Sequence, residues 1–143
     1  MKLLLLFLLA ALTCPRAFAE DDVKALQGTW KPEKAELGGE ALPADALQQI
    51  VLKITENAYK VTISGEDQND EGTFVVDTAA KPKTMTVKSV KGANEGKTFL
   101  AIYELDGDVF RVCYALEGTK FPTEFASPKD SHFFFITYRR QKN

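Results

Sequence analysis

The sequence predicts an all-β fold: eight antiparallel strands in an up-and-down barrel, preceded by a short N-terminal helical turn. Three observations predict it. Segments of six to ten residues, rich in β-branched and aromatic side chains, recur along the chain. Turn residues separate them closely, so most connections are hairpin-short. Three of the later segments are apolar on both faces, and a closed barrel, lined within and partly covered outside, buries both while removing exposed sheet edges. The rival, a β-sandwich, needs longer Greek-key crossings.

The start of the chain is set apart from this pattern. Met1-Lys2 precedes an apolar run from Leu3 to Leu12, and Ala17-Phe18-Ala19 follows with small residues at both outer positions. A basic start, a short apolar core and an A-x-A site make a secretory signal peptide. The run is too short to cross a bilayer as a permanent helix, which takes about 20 residues. Residues 1–19 are therefore read as a signal peptide and residues 20–143 as the barrel domain. Lys2 and Arg16 leave with the signal, so the 18 basic residues fall to 16 against 20 acidic ones, a net charge of −4. That balance lacks the basic footprint of a nucleic-acid binder and the basic surface that holds anionic lipid. The expected location is secreted or periplasmic, with no stable membrane insertion after cleavage. Cys14 leaves too; Leu12-Thr13 before it and Pro15 after it fit a lipidation site poorly. Cys113 alone cannot form an intrachain disulfide, so stability rests on the core.

The elements follow in order. Glu20 to Gln27 makes a short helical turn, with acids at its start suiting the positive end of a helix and Gly28 stopping it. The strand candidates are Gly28–Leu37, Ile50–Thr55, Ala58–Ser64, Gly72–Asp77, Thr84–Lys91, Lys97–Leu105, Val109–Leu116 and His132–Arg140. Turns fall at Gly38-Gly39, Glu56-Asn57, Gly65 to Asp70, Lys81-Pro82, Gly92 to Gly96, Asp106-Gly107 and the longer stretch Gly118 to Asp130. Pro43 to Gln49 is the one further helix-like run, with Pro43 at its first turn. Tyr59, Val61 and Ile63 share one face, Lys60 and Thr62 the other, as in a half-exposed strand. Phe110, Val112, Tyr114 and Leu116 lie opposite Val109, Cys113 and Ala115, so that strand is apolar on both faces.

The run Leu26-Gln27-Gly28-Thr29-Trp30 sits at the entry to the first strand. It resembles the G-x-W signature of lipocalins and related calycin barrels. The resemblance implies that Trp30 closes one end of the barrel under a basic residue from the end of the last strand. Arg139 and Arg140 end that strand, and alternation lets only one of them reach the ring; Arg140 is favoured, with Arg139 the alternate. Gly28, Trp30 and Arg140 form the structural signature. Further stretches occur in order: Glu71-Gly72-Thr73-Phe74-Val75-Val76-Asp77, Lys81-Pro82-Lys83, Ile102-Tyr103-Glu104-Leu105-Asp106-Gly107-Asp108 and Pro122-Thr123-Glu124-Phe125. This string resembles a family of small secreted lipocalin-like domains known mainly from planctomycetes and without an assigned activity. The chain departs from typical lipocalins in having no helix after the last strand and no disulfide.

The chemistry the residues offer is sparse. Cys113 and His132 form no convincing nucleophile pair, because Cys113 sits mid-strand among apolar neighbours. One His and no cysteine cluster exclude a conventional structural zinc site. The acidic run Glu66 to Glu71 lacks EF-hand spacing and reads as a solvated hairpin tip. Lys81-Pro82-Lys83 reads as a Pro-shaped turn whose lysines blunt a sheet edge. Pro122-Thr123-Glu124-Phe125 reads first as a clamp on the longest loop, with Thr123 or Glu124 bonding its backbone and Phe125 anchoring it, and second as a loop gating the mouth. No catalytic residue, metal site or cofactor is expected. Tyr103, Phe110, Arg111 and Tyr114 lie on the two most apolar strands and are the candidate ligand-binding residues; a filled core is the first reading of the interior they face and an open pocket the second. The leading reading is a non-enzymatic binder of a small apolar or amphipathic molecule. The alternative is a protein-interaction barrel, similar to secreted protease inhibitors, that offers a free N-terminal segment at Glu20-Asp21-Asp22-Val23.

Overall fold

The computed structural model describes residues 15–142. The apolar run Leu3–Leu12 and Cys14 lie outside them. The chain forms helix α1 (Pro15–Ala25), strands β1 (Gly28–Leu37) and β2 (Glu40–Ala41), and helix α2 (Ala44–Gln48). Strands β3 (Ile50–Thr55), β4 (Ala58–Ile63), β5 (Asp70–Asp77), β6 (Thr84–Lys91), β7 (Thr98–Asp106), β8 (Val109–Ala115) and β9 (Phe133–Arg140) follow. The long strands pair antiparallel with their chain neighbours, and β1 pairs with β9 to close an eight-stranded barrel.

Strand β1 does two jobs because it is long. Its start pairs with β3, Gly28 opposite Ile54 and Trp30 opposite Leu52. The stretch from Trp30 to Leu37 pairs with β9, from Arg140 to Phe134. The β1–β9 register shifts between Pro32 and Lys34; Pro32 has no N–H for a ladder, and a bulge there accommodates it. The two-residue β2 only folds β1 back on itself across Gly38-Gly39.

Alternation fills the interior. Leu52, Phe74, Met85, Val87, Val112 and Ile136 are buried in one core cluster with Trp30, Tyr103, Phe110 and Tyr138. The opposite face of β7, β8 and β9 is covered as well. Ile102, Cys113 and Phe135 stand side by side across those strands, and Ile102 and Cys113 are buried. The long loop between β8 and β9 lies over them: Phe125 packs on Phe135, with 6.1 Å between ring centroids. Helix α2 packs beside β1 and β3 and buries Leu47.

Helix α1 differs from the single turn over Glu20–Gln27. Pro15 stands at its first position, where a missing N–H costs nothing, and the helix runs on through Ala25. Glu20, Asp21 and Asp22 therefore lie in mid-helix, not at its positive end. Strand β5 also begins two residues sooner than the sequence suggests, at Asp70.

Candidate functional site

The barrel has a floor at one end and a mouth at the other. The floor begins with Gly28, whose φ of 126° is open to glycine and strained for other residues. Two residues on, Trp30 is 0% exposed, and its Nε1 donates to the Leu26 carbonyl at 2.9 Å. The Arg140 guanidinium carbon lies 4.2 Å from the Trp30 ring centroid. That guanidinium also donates to the carbonyls of Ala25 and Gln27 and to Asp108 Oδ1 at 3.0 Å. A cation on the last carbonyl of α1, at Ala25, and on Gln27 just beyond it complements the negative end of the helix dipole. Arg139 faces the other way and pairs with Glu33 on the outside.

A second set of bonds ties α1 to the floor. Asp22 Oδ2 accepts from the Tyr103 hydroxyl at 2.6 Å and from Lys83 Nζ at 2.9 Å. Burial, followed by the Asp22 carboxylate, raises the Tyr103 pKa far above the ordinary phenol value, so Tyr103 stays a neutral donor. Lys83 thus fastens the N-terminal helix and blunts no edge, since the closed barrel offers none there. Gln27 Nε2 bridges the carbonyls of Val23 and Glu56.

Above the floor lies a cavity of about 610 Å³, within the roughly 300–1,000 Å³ span of small-molecule sites. Aromatic side chains run up one wall. Near the floor Phe110 stands 5.7 Å from Trp30 and stacks on Tyr138 at 5.8 Å; toward the mouth Tyr114 stacks on Phe134 at 6.3 Å. Aliphatic side chains from β3, β4 and β6, such as Leu52, Val61 and Val87, complete the walls. The mouth is rimmed by Leu37, Leu116, Lys97, Glu117 and His132, all exposed.

One polar cluster interrupts the apolar wall. Ser89 Oγ donates to Asp70 Oδ1 at 2.5 Å, and the Tyr59 hydroxyl lies 3.4 Å from Oδ2. Asp70 belongs to the acidic run read as a solvated tip. It shares parity with Gly72, Phe74 and Val76 and pairs across with Val61, so the earlier start of β5 turns its side chain onto the cavity wall. Gly72 makes this packing possible: a Cβ there would stand 2.0 Å from the Lys88 carbonyl oxygen and 2.7 Å from the Tyr59 ring. Burial pushes the Tyr59 pKa up to about 12, with a lowering contribution from the Ser89 bond and raising ones from Asp70. Burial raises Tyr114 and Tyr138 as well. The cavity's tyrosines are neutral phenols at neutral pH.

The four ligand-binding candidates separate. Phe110 and Tyr114 line the cavity. Tyr103 faces inward at the floor, where Asp22 engages its hydroxyl. Arg111 does not line the cavity: the parity of β8 that turns Phe110 and Tyr114 in turns it out. Its guanidinium lies over the rings of Phe125 and Phe135, at 5.3 and 5.1 Å, and pairs with Glu104. It holds the long loop down. Thr123 and Glu124 are exposed; Ser127 bonds the backbone instead, donating to the Phe133 carbonyl at 2.7 Å and accepting from the Gly39 N–H at 3.2 Å. The Cys113 thiol is buried on the outer face of β8, donates to the Ala126 carbonyl at 3.4 Å, and has its pKa raised by burial. His132 Nε2 stands 3.3 Å from Glu117 at the mouth.

Sequence reasoning missed Asp70, Ser89 and Tyr59 as one cluster, and Asp22 with Lys83. Each set joins residues far apart in the chain, and no local spacing signals them. A second hollow lies outside the barrel between α1 and β5, beside Val23, Lys24 and the exposed Val75.

The fold and its cavity define a class: a closed eight-stranded antiparallel β-barrel with a sealed floor and an apolar interior reached from one mouth. Comparison with family models, with curated proteins and with solved structures finds no match to this chain.

Proposed function

We propose that this chain is exported, loses residues 1–19, and serves as a non-enzymatic, lipocalin-like barrel that holds one small apolar or amphipathic molecule. The observation that carries this reading is the cavity of about 610 Å³ above an aromatic floor. Its walls are largely apolar, with a polar cluster at Asp70, Ser89 and Tyr59 and polar side chains at the mouth, the composition of a small-molecule site. The lipocalin-like assignment, and with it the likeness to the planctomycete family, is supported by the G-x-W at the floor and by the guanidinium of Arg140 over Trp30.

The interaction-barrel alternative asks for a free N-terminal segment. Glu20 to Val23 is helical, and Asp22 is held by Tyr103 and Lys83, which favours the ligand reading.

Native mass spectrometry of protein purified from its own host tests it. The expected spectrum shows a chain beginning at Glu20 together with a retained small molecule that collisional heating releases. In parallel, the neutral fluorophore N-phenyl-1-naphthylamine should bind at one site per chain, and Val61→Trp, which fills the cavity, should abolish that binding while leaving the circular dichroism unchanged. Absence of both a retained mass and fluorophore uptake overturns the proposal.

A further inference from the structure

Asp70 lies on the cavity wall and its partners are hydroxyls: Ser89 Oγ at 2.5 Å and Tyr59 at 3.4 Å. Among the described residues no Lys, Arg or His nitrogen comes within 4.0 Å of it. An ionised carboxylate accepts at about four lone-pair sites, so these two donors leave capacity on Asp70 toward the cavity. Ser89 is only 3% exposed and fixes the carboxylate's orientation from behind. The walls nearby present the rings of Tyr59, Phe74 and Tyr114, and aromatic faces attract cations. A fixed carboxylate without a cationic partner, on an aromatic wall, is the complement of a positively charged donor.

We infer that the molecule held in the barrel carries a protonated nitrogen on an apolar body, and that Asp70 receives its ammonium group. This rests on the ligand-binding reading above and gives it a chemical class. The competing basic groups are Lys97 and His132, which also border the cavity and suit an anionic headgroup. Lys97 lies across from Ser89, whose N–H donates to its carbonyl at 3.0 Å, but both basic side chains are exposed, where water and salt weaken any pair they make. Asp70 is half-buried, and a pair formed there is screened less than one at an exposed position.

The test uses the purified protein, the neutral fluorophore N-phenyl-1-naphthylamine, and three probes that share a decyl chain: decylamine, 1-decanol and decanoate. Decylamine should displace the fluorophore at about one-tenth the concentration that 1-decanol needs, because its ammonium forms an ion pair with the carboxylate where the alcohol makes only a hydrogen bond to it. Decanoate should be the weakest. Asp70→Asn should bring decylamine to within about twofold of 1-decanol, since it removes the charge that distinguishes the two. Ser89→Ala should lower the amine preference in part. Equal displacement by amine and alcohol in the unaltered protein, or a preference for decanoate, overturns this inference while the cavity reading stands. Failure of the fluorophore and all three probes to bind overturns both. The comparison in the unaltered protein decides the matter even if Asp70→Asn fails to fold.

Discussion

The floor offers the sharpest test, because it joins one tryptophan to one arginine and leaves a neighbouring arginine as an internal control. Trp30 is 0% exposed. A tryptophan side chain buries on the order of 200 Å², which at about 25 cal/mol per Å² is about 5 kcal/mol. Trp30→Ala removes that area and leaves the Leu26 carbonyl without its indole donor. The expected loss is about 3–5 kcal/mol, enough to unfold a domain near the lower end of the usual ~5–15 kcal/mol stability. Trp30→Leu keeps more apolar volume and removes the π face, so it is the variant for the cycle. Arg140→Ala should cost about 2 kcal/mol: the stacking contact contributes about 0.5–2 kcal/mol, and carbonyl bonds on a partly wetted helix end add little more. Only the stacking part depends on Trp30.

The assay is urea unfolding followed by far-ultraviolet circular dichroism, since the tryptophan is itself the altered residue. Trp30→Leu and Arg140→Ala together should destabilise by about 1 kcal/mol less than the sum of the single losses. Trp30→Leu with Arg139→Ala should add to within about 0.5 kcal/mol, because Arg139 pairs with Glu33 on the outer face, where such pairs contribute about 0–1 kcal/mol. Additivity in the Arg140 cycle, or coupling in the Arg139 cycle, refutes the account of how the barrel end is sealed. A native Trp30 emission at the solvent-exposed wavelength refutes it without any mutation.

Three further outcomes are expected. Gly72→Ala should destabilise by about 3 kcal/mol in the same urea assay, since its Cβ would meet the Lys88 carbonyl at 2.0 Å; Gly65→Ala, where nothing lies within 4 Å, should cost only about 1 kcal/mol through its positive φ. Native Cys113 should react with a disulfide reagent far more slowly than the urea-unfolded chain, because burial excludes the reagent and raises the thiol pKa; equal rates would contradict its placement under the long loop. The Tyr59 pKa of about 12 lies above the 10.0 of a free phenol, so the unfolded chain ionises first: stability from this group is intact below pH 10 and declines between about pH 10 and 12, and Tyr59→Phe should flatten part of that decline in unfolding measured across the window.

The fold was legible because its information is local. Each strand carries its own alternation, each turn its own Gly, Asn or Pro, and sequential hairpins leave few ways to connect them. Strand β1 over Gly28–Leu37, β3 over Ile50–Thr55 and β6 over Thr84–Lys91 follow directly from residue pattern. Strand β2 does not: Glu40 and Ala41 have no alternation, and they pair only because Gly38-Gly39 turns the chain back on β1. The interior was harder, because parity says which residues share a face and not which face looks in. Arg111 and Phe110 lie on opposite faces of β8, so they could never serve one cavity. The cover over Arg111 comes from Phe125 in a loop, a contact that no spacing announces. Asp70 sat inside an acidic run whose composition argued for water; its pairing with Val61 decided otherwise.

On the proposed function, the two ends of the barrel divide stability from recognition. The floor is built with the N-terminal helix: Asp22 holds Tyr103, the Leu26 carbonyl holds Trp30, and the carbonyls of Ala25 and Gln27 hold Arg140. All of these partners lie after Ala19. Cleavage at the proposed site removes Ala19 alone from the residues seen packing on the core, so an exported chain keeps every hydrogen bond that closes the floor. Among the described residues the rim of the mouth shows no comparable network. Its charged groups, Lys97, Glu117 and His132, are exposed, and an exposed pair such as His132 with Glu117 adds little to folding. Residues near the mouth therefore carry little of the barrel's stability and, on the proposed function, are free to follow a ligand, while the tryptophan, the arginine and the helix beneath them hold the barrel shut.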